Sequence, residues 1–175
     1  MRFSLACLAA AALLLTPVLL TAQSRPDAGA QKAAMQKLRS LAGTWTGEAV
    51  VTMPGGKELT IRQTEEVQVK LDGLLLLVEG TGRDDSGKVV FNALAVISYD
   101  PPTGAYRFRA WNSGNTLETE LKLNGTGFDW SYQQGPASIV SRMVIDDQGR
   151  WVETSETVVN GQTLHKTRLT VTRKP

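Results

Sequence analysis

The feature that most constrains this sequence is a series of short turn segments that divides residues 44–173 into runs of similar length. Nearly all of them contain a glycine or an asparagine, residues that tolerate the positive φ angles of tight hairpins. Connections this short force neighbouring strands to be antiparallel, because a parallel crossover needs roughly a dozen residues or more. The turn segments are Pro54-Gly55-Gly56, Asp72-Gly73, Asp84-Asp85-Ser86-Gly87, Pro101-Pro102-Thr103-Gly104, Ser113-Gly114-Asn115, Asn124-Gly125, Gln134-Gly135-Pro136, Asp146-Asp147-Gln148-Gly149 and Asn160-Gly161.

The runs between these turns alternate with a period of two, as strands do. They cover residues 44–53, 58–70, 74–82, 88–99, 105–112, 116–123, 127–133, 137–145, 150–159 and 162–173. Before them, apolar residues in 31–40 recur near helical spacing, which predicts a short amphipathic helix that ends at Gly43. A meander has two exposed edges unless it closes. We therefore expect an all-β fold, an antiparallel up-and-down barrel of about ten strands with a short N-terminal helix at one end.

Residues 1–22 have the order of a cleavable signal peptide. Arg2 supplies the positive charge, Leu5 to Leu15 is almost purely alanine and leucine, and Ala22 is a small residue at the expected cleavage site. The apolar run is shorter than the roughly 20 residues of a membrane-spanning helix. We expect export to the periplasm or the exterior, with no stable membrane anchor after cleavage. Removal of 22 of the 175 residues leaves 153, with 23–30 as a flexible lead-in and 31–175 as one barrel domain.

Composition narrows the function classes. The only cysteine, Cys7, lies in the expected leader, so the mature protein has no disulfide, thiolate nucleophile or cysteine-ligated metal. The net charge of +2 is too small for the basic stripe of a nucleic-acid binder. The sequence carries no serine-hydrolase signature, phosphate-binding loop or His-Glu-x-x-His motif. We expect a monomer or weak dimer that has a small-molecule ligand, no nucleic-acid partner, no metal and no cofactor.

Strand alternation also predicts which side chains face the interior. In the fifth strand it leaves two choices open: either Arg107, Arg109 and Trp111 point inward, or Tyr106, Phe108 and Ala110 do. The candidate cavity residues are Trp45, Gln63, Glu65, Arg107, Arg109, Trp111, Trp130, Arg142, Glu153 and His165.

The polar members of this set allow more than one chemistry. Glu65 and Glu153 have the character of a paired-carboxylate site, in which one group serves as acid and the other as base. The favoured alternative is a structural network in which each glutamate pairs with an inward arginine such as Arg107, Arg109 or Arg142. The same arginines are also suited to a ligand carboxylate. A barrel enzyme, an isomerase or hydrolase that uses Glu65 or Glu153 with an inward arginine, therefore stays open beside non-enzymatic binding.

The segment Leu41-Ala42-Gly43-Thr44-Trp45-Thr46-Gly47-Glu48 resembles the Gly-x-Trp opening of the calycins, the superfamily of lipocalins and fatty-acid-binding proteins. Most of 31–173 resembles the secreted bacterial lipocalin-like proteins of unknown function. The matching stretches are Glu66 with Leu71-Asp72-Gly73, Phe91-Asn92-Ala93-Leu94 through Ser98-Tyr99-Asp100, and Asp146-Asp147-Gln148-Gly149-Arg150-Trp151-Val152-Glu153. The resemblance implies a calycin-like barrel with Trp45 across its floor. Barrels of this kind are wide enough to hold a small ligand, so we expect a small apolar or amphipathic molecule in the cavity.

A second resemblance is narrower. Nitrobindins are ten-stranded haem proteins that open with a similar Gly-Thr-Trp-x-Gly-Glu segment and bind ferric haem through a histidine on the last strand. His165, the only histidine, lies ten residues from the C-terminus on a face predicted to point inward. The resemblance implies haem ligation by His165 as an alternative function, although a lone inward histidine is more often a hydrogen-bonded core residue. A filled barrel that acts through its surface is a further alternative.

Overall fold

The computed structural model describes residues 27–175 and shows a closed antiparallel barrel. Each strand pairs with its neighbours in sequence, and the first strand pairs with the last. The expected all-β, ten-stranded architecture with a short N-terminal helix is confirmed, and every strand boundary lies within one residue of its predicted position. The strands are β1 (Gly43–Thr52), β2 (Glu58–Lys70), β3 (Leu75–Arg83), β4 (Val89–Asp100), β5 (Ala105–Asn112), β6 (Asn115–Leu123), β7 (Phe128–Gln134), β8 (Ala137–Ile145), β9 (Trp151–Val159) and β10 (Gln162–Arg173).

The helix begins earlier than the sequence pattern indicated. Helix α1 spans Ala28–Met35 and continues as a 3₁₀ helix over Gln36–Leu41. Its start is set by Asp27, whose side chain accepts a hydrogen bond of 2.9 Å from the backbone N–H of Ala30. The helix therefore includes the end of the segment 23–30 that we expected to be a flexible lead-in. The expected signal peptide and the start of the lead-in lie outside the described residues. Between residues 27 and 175, no helix has the length and apolar character needed to cross a bilayer.

The helical segment covers the end of the barrel where Trp45 lies. Met35, Leu38 and Leu41 are buried in the same apolar cluster as Trp45. Two polar contacts hold the helix against the barrel. The Tyr106 hydroxyl donates to the Ala34 carbonyl at 2.8 Å, and the Gln31 side-chain amide donates at 2.9 Å to the carbonyl of the residue just before β3. This end of the barrel is therefore closed by packed side chains.

The core at the closed end is built around aromatic rings. The rings of Trp45 and Trp151 meet edge to face, with centroids 5.9 Å apart. Phe128 makes a similar contact with Trp151 at 6.4 Å. Such pairs contribute about 0.5–1.5 kcal/mol each beyond the burial of their surface. The inner residues Leu76, Ile97, Leu121, Met143 and Val171 surround the rings and are almost fully buried.

The pairing of β1 with β10 completes the barrel, and Arg173 holds this seam. Arg173 pairs in register with Trp45, and its guanidinium carbon lies 4.2 Å from the centroid of the Trp45 ring. The same group donates hydrogen bonds to the carbonyls of Ser40 and Ala42, at the end of the helical segment. Gly47 permits the close approach of the two strands, because a β-carbon there would lie 2.1 Å from the carbonyl oxygen of Thr170. One arginine thus joins the helix end, the first strand and the last strand.

We expect Arg173→Ala to lower the free energy of unfolding by about 2 kcal/mol, because it removes a charged donor to two carbonyls and a cation–π contact. Urea denaturation followed by tryptophan fluorescence measures the change. Arg168→Ala is the matched control, since Arg168 lies on the same strand and is exposed on the outer face. Equal urea midpoints for the two variants would show that the seam does not depend on Arg173.

Candidate functional site

Six of the ten candidate residues face the interior of the barrel. Trp45 lies at the closed end, and Gln63, Glu65 and Glu153 lie on the walls. Trp130 packs against Phe108 with ring centroids 5.2 Å apart. His165 is partly buried on the inner face of β10, in the same alternating set as the buried Leu169 and Val171.

The other four candidates lie on the outer face, so the expectation that they belong to the cavity is wrong, and in the fifth strand the open choice falls to the opposite face. Arg107 contacts Glu120 at 3.1 Å, Arg109 contacts Glu118 at 3.8 Å, and Arg142 contacts Asp129 at 3.9 Å, all as exposed ion pairs. Trp111 is 36% exposed beside Arg109.

In β5, the packing of Phe108 against Trp130 decides which face points inward. It places the face with Tyr106, Phe108 and Ala110 in the interior. Among the strands of residues 27–175, Arg173 is the only lysine or arginine on the inner face, and it lies against Trp45 at the closed end without an ion pair to Glu65 or Glu153. The expected network of glutamates with inward arginines therefore does not form.

Glu65 and Gln63 form a buried polar pair on β2. The Gln63 amide donates to Glu65 Oε1 at 2.7 Å, and the two side chains are 5% and 8% exposed. Their space is provided by Gly82 and Gly80, which pair with them in register on β3. A β-carbon at Gly80 would lie 2.9 Å from Glu65 Oε2, and one at Gly82 would lie 2.7 Å from Gln63 Oε1. Glycine inside a strand marks this kind of close approach, and that signal was present in the sequence.

Glu153 is held by donors on the neighbouring wall. The hydroxyl of Ser141, a buried residue on β8, donates to Glu153 Oε1 at 2.7 Å. The indole N–H of Trp151 donates to Oε2 at 3.3 Å. The side chain is partly buried. Sequence reasoning did not identify Ser141, whose role depends on the register between β8 and β9.

The environment of the two glutamates favours their protonated forms. Burial raises the pKa of Glu65 from 4.5 to about 7, the hydrogen bond from Gln63 opposes this, and the charge of Glu153 adds to it. Burial also raises the pKa of Glu153, against the hydrogen bonds from Ser141, Trp151 and Trp130. A carboxylate that loses hydration without gaining a nearby cation behaves in this way. Glu65 therefore exists in both protonation states near neutral pH.

A cavity of about 250 Å³ opens at the end of the barrel opposite the helix. Its lining comes from β5 to β9 and their hairpins: Ala110, Asn112, Asn115, Thr116, Leu117, Tyr132, Gln134, Ala137, Ile139 and Thr157. His165 adjoins it, because its Nε2 lies 3.2 Å from the hydroxyl of Thr157. A second cavity of about 230 Å³ lies outside the barrel, between the helical segment and the turn at Asp72. No group of three or more metal-ligating side chains is assembled in the described part of the chain.

These observations define a small closed antiparallel β-barrel with an acidic interior and a cavity at its open end. The chain belongs to the DUF1579 family, described as proteins of unknown function, which matches residues 30–173. The fold is similar to that in "Crystal Structure of Rv2717c from M. tuberculosis", with a TM-score of 0.60 and 12% sequence identity over 81% of this chain and 98% of that chain. Identity this low supports the fold alone. A search of curated proteins finds no match.

The raised pKa of Glu65 predicts how stability depends on pH. The folded protein keeps a proton on Glu65 up to pH about 7, whereas the unfolded chain releases it near 4.5. Stability therefore falls as the pH rises through this range, by about 3 kcal/mol from Glu65. Glu153 adds a loss of the same sign, because its pKa is also raised.

We expect Glu65→Gln to flatten this decline and to stabilise the protein at pH 8. Urea denaturation at a series of pH values measures it. Glu58→Gln is the control, since Glu58 lies on the same strand and is exposed. A Glu65→Gln protein that keeps the parent's slope would contradict the assignment.

Proposed function

We propose that this protein binds a small amphipathic molecule in the open half of its barrel, without covalent chemistry. The observation that carries the proposal is the cavity of about 250 Å³ at the open end. Ligand sites commonly measure roughly 300–1,000 Å³, so the volume suits a small ligand. Leu117, Tyr132 and Ile139 supply apolar surface, and Asn112 and Thr157 supply polar groups. A barrel filled completely by its own side chains has no such space.

The charges of the interior favour one kind of polar group on the ligand. The ionisable side chains on the inner face of the described strands include Glu65, Glu153 and His165, whereas Arg173, the one arginine on that face, is held against Trp45 at the closed end. A ligand carboxylate would find no cationic partner in the cavity lining, and the two interior glutamates would repel it at longer range. A ligand with an ammonium group or other hydrogen-bond donors would meet acceptors. The enzyme alternative also required an inward arginine beside a glutamate, and Arg173, at the closed end, forms no ion pair with Glu65 or Glu153.

Two dansyl probes with the same alkyl chain, one ending in a primary ammonium and one in a carboxylate, test this proposal. We expect the ammonium probe to bind more tightly by about tenfold, which corresponds to ~1.4 kcal/mol. Fluorescence enhancement on titration gives both dissociation constants. Glu65→Gln narrows the difference between the probes.

A variant that fills the cavity tests whether the ligand binds there. Ile139→Trp places a large side chain in the cavity and abolishes binding of the ammonium probe. Val140→Trp is the matched control, because Val140 is the next residue on β8, points outward and is 59% exposed. Equal affinity in the two tryptophan variants, or tighter binding of the carboxylate probe, contradicts the proposal.

Haem binding through His165 is a second candidate, supported by the inward position of this histidine beside the cavity. A neutral imidazole nitrogen is a good ligand for haem iron. The surroundings of His165 suit haem less well than its imidazole nitrogen suits the iron. The Nε2 atom is engaged by Thr157, the cavity is small, and its lining offers no lysine or arginine to the propionates.

Titration with hemin separates the two candidates. The small-ligand proposal predicts no Soret shift that depends on His165. Haem ligation predicts a shifted Soret band that disappears in His165→Ala and persists in Thr163→Ala, an exposed position on the same strand. That second result would replace the first proposal with the haem assignment.

A further inference from the structure

The outer surface of the barrel carries a group of neighbouring apolar residues on β3, β4 and β5. Leu77 pairs in register with Val96, and Leu94 pairs with Trp111. These four side chains all point outward, and we call them the apolar face. Their inward neighbours Leu76 and Ile97 are 2% and 1% exposed and already complete the core.

The sequence of these strands is unusual for a barrel wall that faces water. An antiparallel sheet with one solvated face alternates between apolar and polar residues, whereas strands covered on both faces read as continuous apolar runs. The runs Leu74-Leu75-Leu76-Leu77-Val78 and Leu94-Ala95-Val96-Ile97 have the second pattern. Yet the ring of Trp111 is 36% exposed on the outer surface. The apolar face is thus suited to contact with another surface.

The margins of the apolar face carry opposite charges. On one side Glu66 and Glu79 lie directly opposite each other on β2 and β3. Like charges in this position destabilise a strand pair, and neither carboxylate forms an ion pair within residues 27–175. On the other side Arg109 lies 5.1 Å from the Trp111 ring centroid, with its Nε 3.8 Å from the carboxylate of the exposed Glu118.

This arrangement is complementary to itself. A two-fold axis that lies in the contact plane, perpendicular to the line from Glu79 to Arg109, superposes Glu79 of one copy on Arg109 of the other. Apolar residues then meet at the centre, and Glu79 of each copy meets Arg109 of its partner. We propose that the apolar face is the interface of a two-fold symmetric homodimer. An anionic lipid surface fits less well, because it would repel the two unpaired glutamates.

The oligomeric state of the purified protein, measured by sedimentation velocity over a range of concentrations, tests the proposal. We expect a dimer whose dissociation constant rises by at least about 100-fold in Trp111→Glu, since a charge is then buried at the centre of the contact. Val140→Glu leaves the dimer intact, because Val140 is also exposed and outward but lies on β8. Circular dichroism and thermal melting confirm that each variant is folded.

A charge exchange tests the predicted geometry. Glu79→Arg and Arg109→Glu each weaken the dimer, and the double variant restores it. The restoration cannot arise within one chain, because β4 separates the two residues by two strand spacings, roughly 10 Å. A wild-type protein that is monomeric at every concentration, or a Trp111→Glu protein that dimerises as the wild type does, overturns the proposal. Failure of the double variant to recover overturns the two-fold arrangement.

Discussion

The pairing of β1 with β10 is the contact on which the rest of this structure depends. It removes both sheet edges at once, and it holds only because Gly47 lets the strands approach and Arg173 ties β10 to the helix end and to Trp45. Closure turns the alternation of every strand into a strict choice between interior and solvent. It also creates a compartment with a packed floor at one end and an opening at the other.

The consequence for the interior is electrostatic. Closure encloses Glu65 and Glu153, while the arginines expected to neutralise them, Arg107, Arg109 and Arg142, are directed outward by the same alternation. Hydrogen bonds from Gln63 and Ser141 compensate part of the lost hydration, and glycines on β3 provide the room. The part of the lost hydration that is not compensated raises the pKa values of both glutamates. A chain whose glutamates served only as packing residues would gain stability from glutamine at both positions, so their presence favours a role in binding.

The local sequence was sufficient to predict the strands. It was not sufficient to predict which side chains contact each other across the barrel. Turn residues such as Asn160-Gly161 fix hairpins by their own backbone preferences, so strand boundaries could be predicted closely. The inward positions of Glu65 and His165 followed from the period of two. In β5 both faces carry aromatic residues, and only the contact of Phe108 with Trp130 decides between them. Arg173 was not predicted, because its role depends on a pairing with residues 128 positions earlier in the chain.

Strand β5 connects the two proposed surfaces. Ala110 lines the cavity, and Arg109 and Trp111 lie on the outer face. A slip of one residue in the register of β5 would exchange these sets and lose both surfaces together. The register is set by the tight turn at Ser113 and Gly114, whose φ angles of 49° and 82° require a left-handed backbone. The interior and the exterior of this barrel are therefore not independent, because one short hairpin determines which side chains each of them receives.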